Sequence, residues 1–214
     1  MHSLISASHA CTGGKAQDGP SSAAWWVANL ERYNIAGCRS IECACCTDPN
    51  LSCMLQNVSR RRHAETASPV AQQAFETTPI FDVYHAYASM SGDLASVNIS
   101  AAAQTAPYDA VAAFDATGGA PHAAWILLGQ AQNETGPYSS LAYNASVAVL
   151  GLSAASGLVR GGGVNVTVGG SSGYPLEHVQ AVTMPVEAGG QLRISVMLGG
   201  PHANNWYFIK FTQP

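Results

Sequence analysis

Charge is scarce in this chain. Of 214 residues only 10% are Asp, Glu, Lys or Arg, against 47% hydrophobic, and the net charge is −4. A balance this weak and this negative argues against a nucleic-acid partner, because phosphate binding calls for a basic face. Long hydrophobic runs are missing too. No stretch approaches the ~20 apolar residues of a membrane span, so no membrane partner is expected. Cysteine is absent after Cys53; all six (Cys11, Cys38, Cys43, Cys45, Cys46 and Cys53) lie early. The paired Cys-x-x-Cys arrangement of a zinc ribbon is lacking. Cys43 and Cys46, with Cys45 between them, have the spacing of one Cys-x-x-Cys pair, but no second pair accompanies them, so disulfide pairing is expected rather than a metal, and no cofactor is expected. The first residues, "MHSLISASHACTGG", have neither a basic start nor an apolar core and are not a signal peptide. No internal repeat stands out.

What is present in excess is the glycosylation sequon. Five occur, at Asn57, Asn98, Asn133, Asn144 and Asn165. Ten asparagines and 32 Ser and Thr residues would give about one or two by chance. Strand phase supports three of them. In "GVNVTVG", Val164, Val166 and Val168 share a face, so Asn165 and Thr167 point the other way. In "LAYNASVAVL", Tyr143, Ala145, Val147 and Val149 leave Asn144 and Ser146 on the opposite side. In "SVNIS", Val97 and Ile99 do the same for Asn98. A secreted, glycosylated body without a secretory start leads us to expect a chain whose beginning is missing.

The chain is long enough for one large domain or two small ones. Residues 1–92 alternate between the two structure types. A short strand candidate "SLISA" and a Gly-rich loop precede a helix capped by Ser21 or Ser22. That helix should run to about Ile35, with Trp26, Leu30 and Tyr33 as its apolar stripe and Gly37 beyond its end. "CRSIECAC", residues 38–45, reads as a strand, and residues 66–76 as a weaker helix. In "TTPIFDVYHAYASMSG", Thr78 can cap a helix with Pro79 at its first position and Asp82 in its first turn. Val83, Tyr87 and Met90, with Ile80 and Tyr84 beside them, form its apolar face, and Gly92 closes it.

From residue 93 onward the period changes to two. Strands are predicted at 94–100, 109–115, 123–130, 140–151, 163–168, 178–187, 190–198 and 205–212. In "QLRISVML", Leu192, Ile194, Val196 and Leu198 face inward. At the end, Tyr207, Ile209 and Phe211 face one way while Trp206, Phe208 and Lys210 face the other. "AAWILLGQ" is apolar on both faces, as a central strand covered on both sides would be. Asp109 and Asp115 are read as turn residues. About eight such strands predict an antiparallel β-sandwich.

Taken in order, "SSAAWWVANLERYNIAGCRSIECACCTDPN", "TPIFDVYHAYASMSGDLASV", "YDAVAAFDA" and "AAWILLGQ" resemble the end of secreted (β/α)8-barrel glycoside hydrolases related to family 39 and the arabinofuranosidase-like superfamily. The resemblance implies an α+β chain. Residues 1–92 would be the last β/α units of a TIM barrel, and 93–214 a C-terminal β-sandwich of about eight strands. "SLISASHACTGG" would be the seventh barrel strand, "CRSIECAC" the eighth, and the helix after Thr78 the last of the barrel. It also implies a carbohydrate substrate.

Glycosidic hydrolysis usually needs two carboxyl groups, one as acid and one as nucleophile or base. In such barrels these lie after strands four and seven. Strand four is not in this chain, and where the nucleophile belongs stand Ser8, His9 and Ala10. Glu42, on the eighth-strand candidate, is a weak substitute, and pairing with Arg39 or facing solvent is the favoured reading of it. The chain by itself is therefore expected to be inactive. A second reading is a non-catalytic carbohydrate-binding or extracellular structural β-sandwich, with Trp206 and Trp125 or Tyr138 as a stacking platform. The disulfide candidates are Cys45 or Cys46 with Cys53, on clustering beside sequons.

Overall fold

The computed structural model describes residues 19–32, 55–57, 75–77, 79–99, 108–116, 121–130, 142–171, 179–199 and 205–214. They form two α-helices, one short 3-10 helix (Ala154–Ser156) and ten strands, in an α+β arrangement. Helix α1 is Pro20–Arg32 and α2 is Pro79–Ser89. The strands are β1 (Leu55–Asn57), β2 (Phe75–Thr77), β3 (Asp93–Ala95), β4 (Tyr108–Asp115), β5 (Ala123–Gln130), β6 (Ala142–Val149), β7 (Gly163–Gly170), β8 (Val182–Pro185), β9 (Leu192–Gly199) and β10 (Tyr207–Thr212). The expected strands 3–7 and 38–45 lie outside the described residues. So does most of the 66–76 helix, whose last two residues, Phe75 and Glu76, belong instead to β2. There β2 pairs antiparallel with β1, Gln56 opposite Glu76.

Strands occur in all eight segments expected after residue 93, but the first ends at Ala95 instead of reaching residue 100, so Val97 to Ile99 are outside it, and the sixth covers only Val182–Pro185 of 178–187. Six form one antiparallel sheet in the order β3-β4-β5-β10-β7-β8, and β6 and β9 form a second. The C-terminal strand is inserted centrally: Ile209 stands between Ile126 of β5 and Val168 of β7. Between the sheets, Ile126, Leu128, Val164, Val166, Ile209 and Phe211 meet Ala145, Leu192, Ile194, Val196 and Leu198. Each large side chain taken out of water here contributes about 1.5–3 kcal/mol. The predicted alternation of β9 holds: Arg193, Ser195 and Met197 are exposed.

The other face of the large sheet is also dry. Val111, Ala113, Trp125, Leu127, Trp206 and Phe208 pack against Ala23, Ala24, Val27 and Ala28 of α1 and Val83 and Ala86 of α2. Strand β5 is thus covered on both sides, as its apolar sequence requires. Apart from the β1–β2 pair, the described residues form three layers, helices, large sheet and small sheet, and the elements on either side of residue 92 share the helical core. Helix α2 presents the expected face, with Ile80, Tyr84, Tyr87 and Met90 around the buried Val83 and Ala86.

Helix α1 departs from expectation in its stripe. Its small residues face the sheet, and Trp26 and Leu30 are only half-buried. The reason is proximity. An added Cβ on Gly129 would overlap the Ser21 carbonyl oxygen and the Ala24 side chain, so the helix rests directly on β5 where only small side chains fit. Trp25 and Trp26 stack on each other instead, with ring centroids 5.7 Å apart and 5° between planes. Gly92 meets a similar constraint at the entry to β3: its φ is +85°, and a Cβ there would overlap the Phe114 carbonyl oxygen.

Candidate functional site

The polar groups that the fold deliberately buries lie at the seam between α1 and the large sheet. Pro20 takes the first helical position, and Ala23 N–H bonds the Gly19 carbonyl at 3.1 Å, so the helix begins one residue before Ser21. Ser21 is accordingly not the cap. It is buried, and its Oγ accepts the backbone N–H of Gln130 at 2.9 Å, which ties the helix start to the end of β5. At the other end, Arg32 lies in the last turn, where the helix dipole favours a cation. Its Nε donates to Asp109 Oδ2 at 2.9 Å, Nη2 donates to Asp109 Oδ1, and Nη1 donates to the Val97 carbonyl at 3.0 Å. Asp109 Oδ1 also accepts the Ala110 N–H at 2.7 Å. The Asp109 side chain is 5% exposed and that of Arg32 24%.

Asp109 is therefore not a turn residue. It points from β4 toward the helices, in phase with Val111 and Ala113, and its charge is matched by a guanidinium 77 positions earlier. With both oxygens hydrogen-bonded and almost no solvent contact, this carboxylate joins β4 to α1 and presents no face to a ligand. Beside it, the Tyr87 hydroxyl donates to the Glu31 carboxylate and joins α2 to α1. Burial pushes the neighbouring Tyr84 hydroxyl up to about 12. Burial also raises the Asp82 carboxyl, partly offset by His85.

A second polar group sits at the β4–β5 turn. Ser91 Oγ donates to Asp115 Oδ2 at 3.3 Å, and His122 N–H donates to the Asp115 carbonyl at 2.8 Å. Asp115, expected as a turn residue, is the last residue of β4, and its side chain bonds Ser91 at the entry to β3. The serine bonds the carboxylate, an arrangement that does not activate a nucleophile. Among the described residues, no cluster of three His, Cys, Asp or Glu side chains is placed to hold a metal ion.

Glu42, Cys45, Cys46, Cys53, Asn133, Tyr138 and the Ser8–His9–Ala10 stretch lie outside the described residues. Asn57 is in β1. Asn98, after β3, and Asn144, in β6, are exposed, while Asn165, in β7, is half-buried. Trp125 and Trp206 are 7% and 2% exposed, in the helical core, so neither can stack on a sugar. The interactions that sequence reading missed are those of Ser21, Arg32 and Asp109. The available signal was one acid in phase with the apolar residues of a strand, and nothing in its own neighbourhood named the partner.

One solved structure, described as "Structure of N2152 from Neocallimastix frontalis", superposes on 92% of this chain with a TM-score of 0.51 at 18% identity. The match occupies 42% of that chain, so the present sequence spans less than half of that protein's length. At this identity the likeness is one of fold alone. No protein-family model matches the chain. Nor does any curated protein.

Proposed function

We propose that the chain is the C-terminal portion of a secreted glycoside hydrolase related to family 39 and the arabinofuranosidase-like superfamily. In this reading it is the packing module beside an upstream TIM barrel and does not turn over substrate by itself. The observation that carries the proposal is the core shared by α1, α2 and the large sheet. A barrel whose last helices pack onto a following β-sandwich needs such a joint, whereas a free-standing sugar-binding sandwich has no need of a helical layer. The rival reading also loses its platform, since Trp125 and Trp206 are buried. The acid would come from the upstream fourth strand; the seventh-strand candidate of this chain has no carboxylate, so the nucleophile would have to be supplied from elsewhere in the barrel, and the polar residues of this chain would orient the joint.

The test is to sequence the native transcript in full and to assay its longest product beside the 214-residue chain on aryl arabinofuranosides, xylosides, galactosides and glucosides. The expected result is an in-frame upstream barrel with a carboxylate after its fourth strand, a longer product that hydrolyses one of these substrates, and a short chain that does not. A transcript coding only these 214 residues, or an inactive longer product, would overturn it. Turnover by the short chain that Glu42→Gln abolishes would relocate catalysis to Glu42.

A further inference from the structure

Five sequons are legible in the sequence, and the fold separates three of them sharply. Asn165 is not a free acceptor. Its Oδ1 accepts from Thr183 Oγ1 at 2.6 Å and its Nδ2 donates to the Gln213 carbonyl at 3.3 Å. It thus ties β7 to the edge strand β8 and to the residues that follow β10. Asn144 differs. It is exposed at mid-strand in β6, on the outer face of the small sheet, and stands directly opposite Met197. On that face Ser146 pairs with Ser195 and Ala148 with Arg193, leaving small or polar neighbours around a methionine that is 38% exposed. Asn98 is exposed beyond β3, beside a backbone carbonyl already taken by Arg32.

We infer that Asn98 and Asn144 carry N-glycans in the folded protein, that Asn165 does not, and that the first sugar on Asn144 lies over Met197. The inference rests on the reading that the chain is secreted. The reaction forms a bond from asparagine Nδ2 to the anomeric carbon of a lipid-pyrophosphate-linked oligosaccharide. It breaks the bond from that carbon to the pyrophosphate oxygen and releases the lipid pyrophosphate and one amide proton. At Asn144 the sugar leaves from an exposed strand position, and directly opposed side chains have Cβ atoms about 4.5–5.5 Å apart, within reach of a first saccharide. At Asn165 the sugar would replace a hydrogen on the nitrogen that bonds Gln213 and would crowd the space between β8 and the chain end. Molecules modified there do not close that sheet edge and do not accumulate as folded product.

The experiment is to express the 214-residue chain behind a cleavable secretion leader in yeast and to recover protease-resistant protein from the medium and secretory compartment. Endoglycosidase release in heavy-oxygen water then tags each formerly occupied asparagine by mass. Asn98 and Asn144 should be tagged in most molecules and Asn165 in few. A largely occupied Asn165, or a bare Asn144, overturns the assignment. Thr167→Val removes the Asn165 sequon without touching the Asn165 ties and should leave the glycoform pattern and yield unchanged; loss of a glycan band would refute the claim. Asn165→Ala, which cuts the ties, should lower the yield of resistant protein. Ser146→Ala removes the Asn144 glycan and should make Met197 oxidise several times faster in dilute peroxide, and an unchanged rate would sink the cover over Met197. The leader supplies entry to the pathway, so protein from its natural source lacking sugar at all sites would count against native secretion while the site preferences stood.

Discussion

At the scale of single residues, the seam is organised by charge and burial. Asp109→Leu removes the carboxylate that matches the Arg32 guanidinium in a mostly dry seam. We expect a loss of about 3 kcal/mol, the low end for a broken buried pair, because Arg32 keeps 24% of its side chain exposed. Adding Arg32→Met should restore most of that loss, since an apolar pair of similar size avoids the desolvation of both charges. Urea unfolding followed by tryptophan fluorescence measures both variants. Tyr84 gives a pH signature. Its folded-state value is raised from 10.0 to about 12 by burial, so the folded protein holds this proton more tightly than the unfolded chain. The stabilisation is fully present below pH 10.0 and is lost as pH rises through about 12. It amounts to about 2–3 kcal/mol at most. In urea titrations across that window, wild type should lose stability more steeply than Tyr84→Phe; parallel curves would show that Tyr84 does not contribute.

At the scale of elements, the placement of α1 depends on a residue with no side chain. Gly129→Ala forces the helix away from β5, and we expect about 1–3 kcal/mol of destabilisation from overpacking. A change in the fluorescence of the stacked Trp25 and Trp26 should accompany it. Removal of volume acts oppositely in the same layer. Trp206→Ala opens a cavity between α1, α2 and the sheet and should cost about 3–5 kcal/mol in the same unfolding assay. The strand phases were readable because burial on one side of a strand imposes a period of two whatever the neighbouring strand is. The stripe of α1 was misread because large apolar residues normally mark the buried side, and here close approach reversed the preference. Ser21 was misread because a serine near a helix start is usually a cap, and its contact lies 109 positions away.

For the whole molecule, the consequence of three layers is that the sandwich is not self-covering. Residues 93–214 contain no cysteine, so reductant should not change the stability of that fragment. Expressed alone, it leaves Val111, Trp125, Leu127, Trp206 and Phe208 without their helical cover. The expected outcome is binding of a hydrophobic dye and a melting temperature below that of the full chain, measured side by side. A fragment that melts like the full chain and binds no dye would show that α1 and α2 add little to the sheet.

The sequence alone determined where eight strands lie after residue 93, which of their residues face inward, and that β5 is buried on both sides. Those properties follow from local alternation of apolar and polar side chains, which is the same in any arrangement of partners. It also determined α2 and its apolar face, since a proline start and a spacing of three and four residues are properties of one segment. Tertiary structure decided the rest. It placed β10 between β5 and β7, divided the strands six and two, and laid both helices on one face. It turned Asp109 from an expected turn residue into half of a buried ion pair, and it tied Asn165 to Thr183 and to the Gln213 carbonyl. The physical reason is common to all of these. A sheet's neighbours and a buried polar group's partner are chosen by closure over long stretches of chain, and a residue's own neighbours in sequence carry no record of what will be brought opposite it.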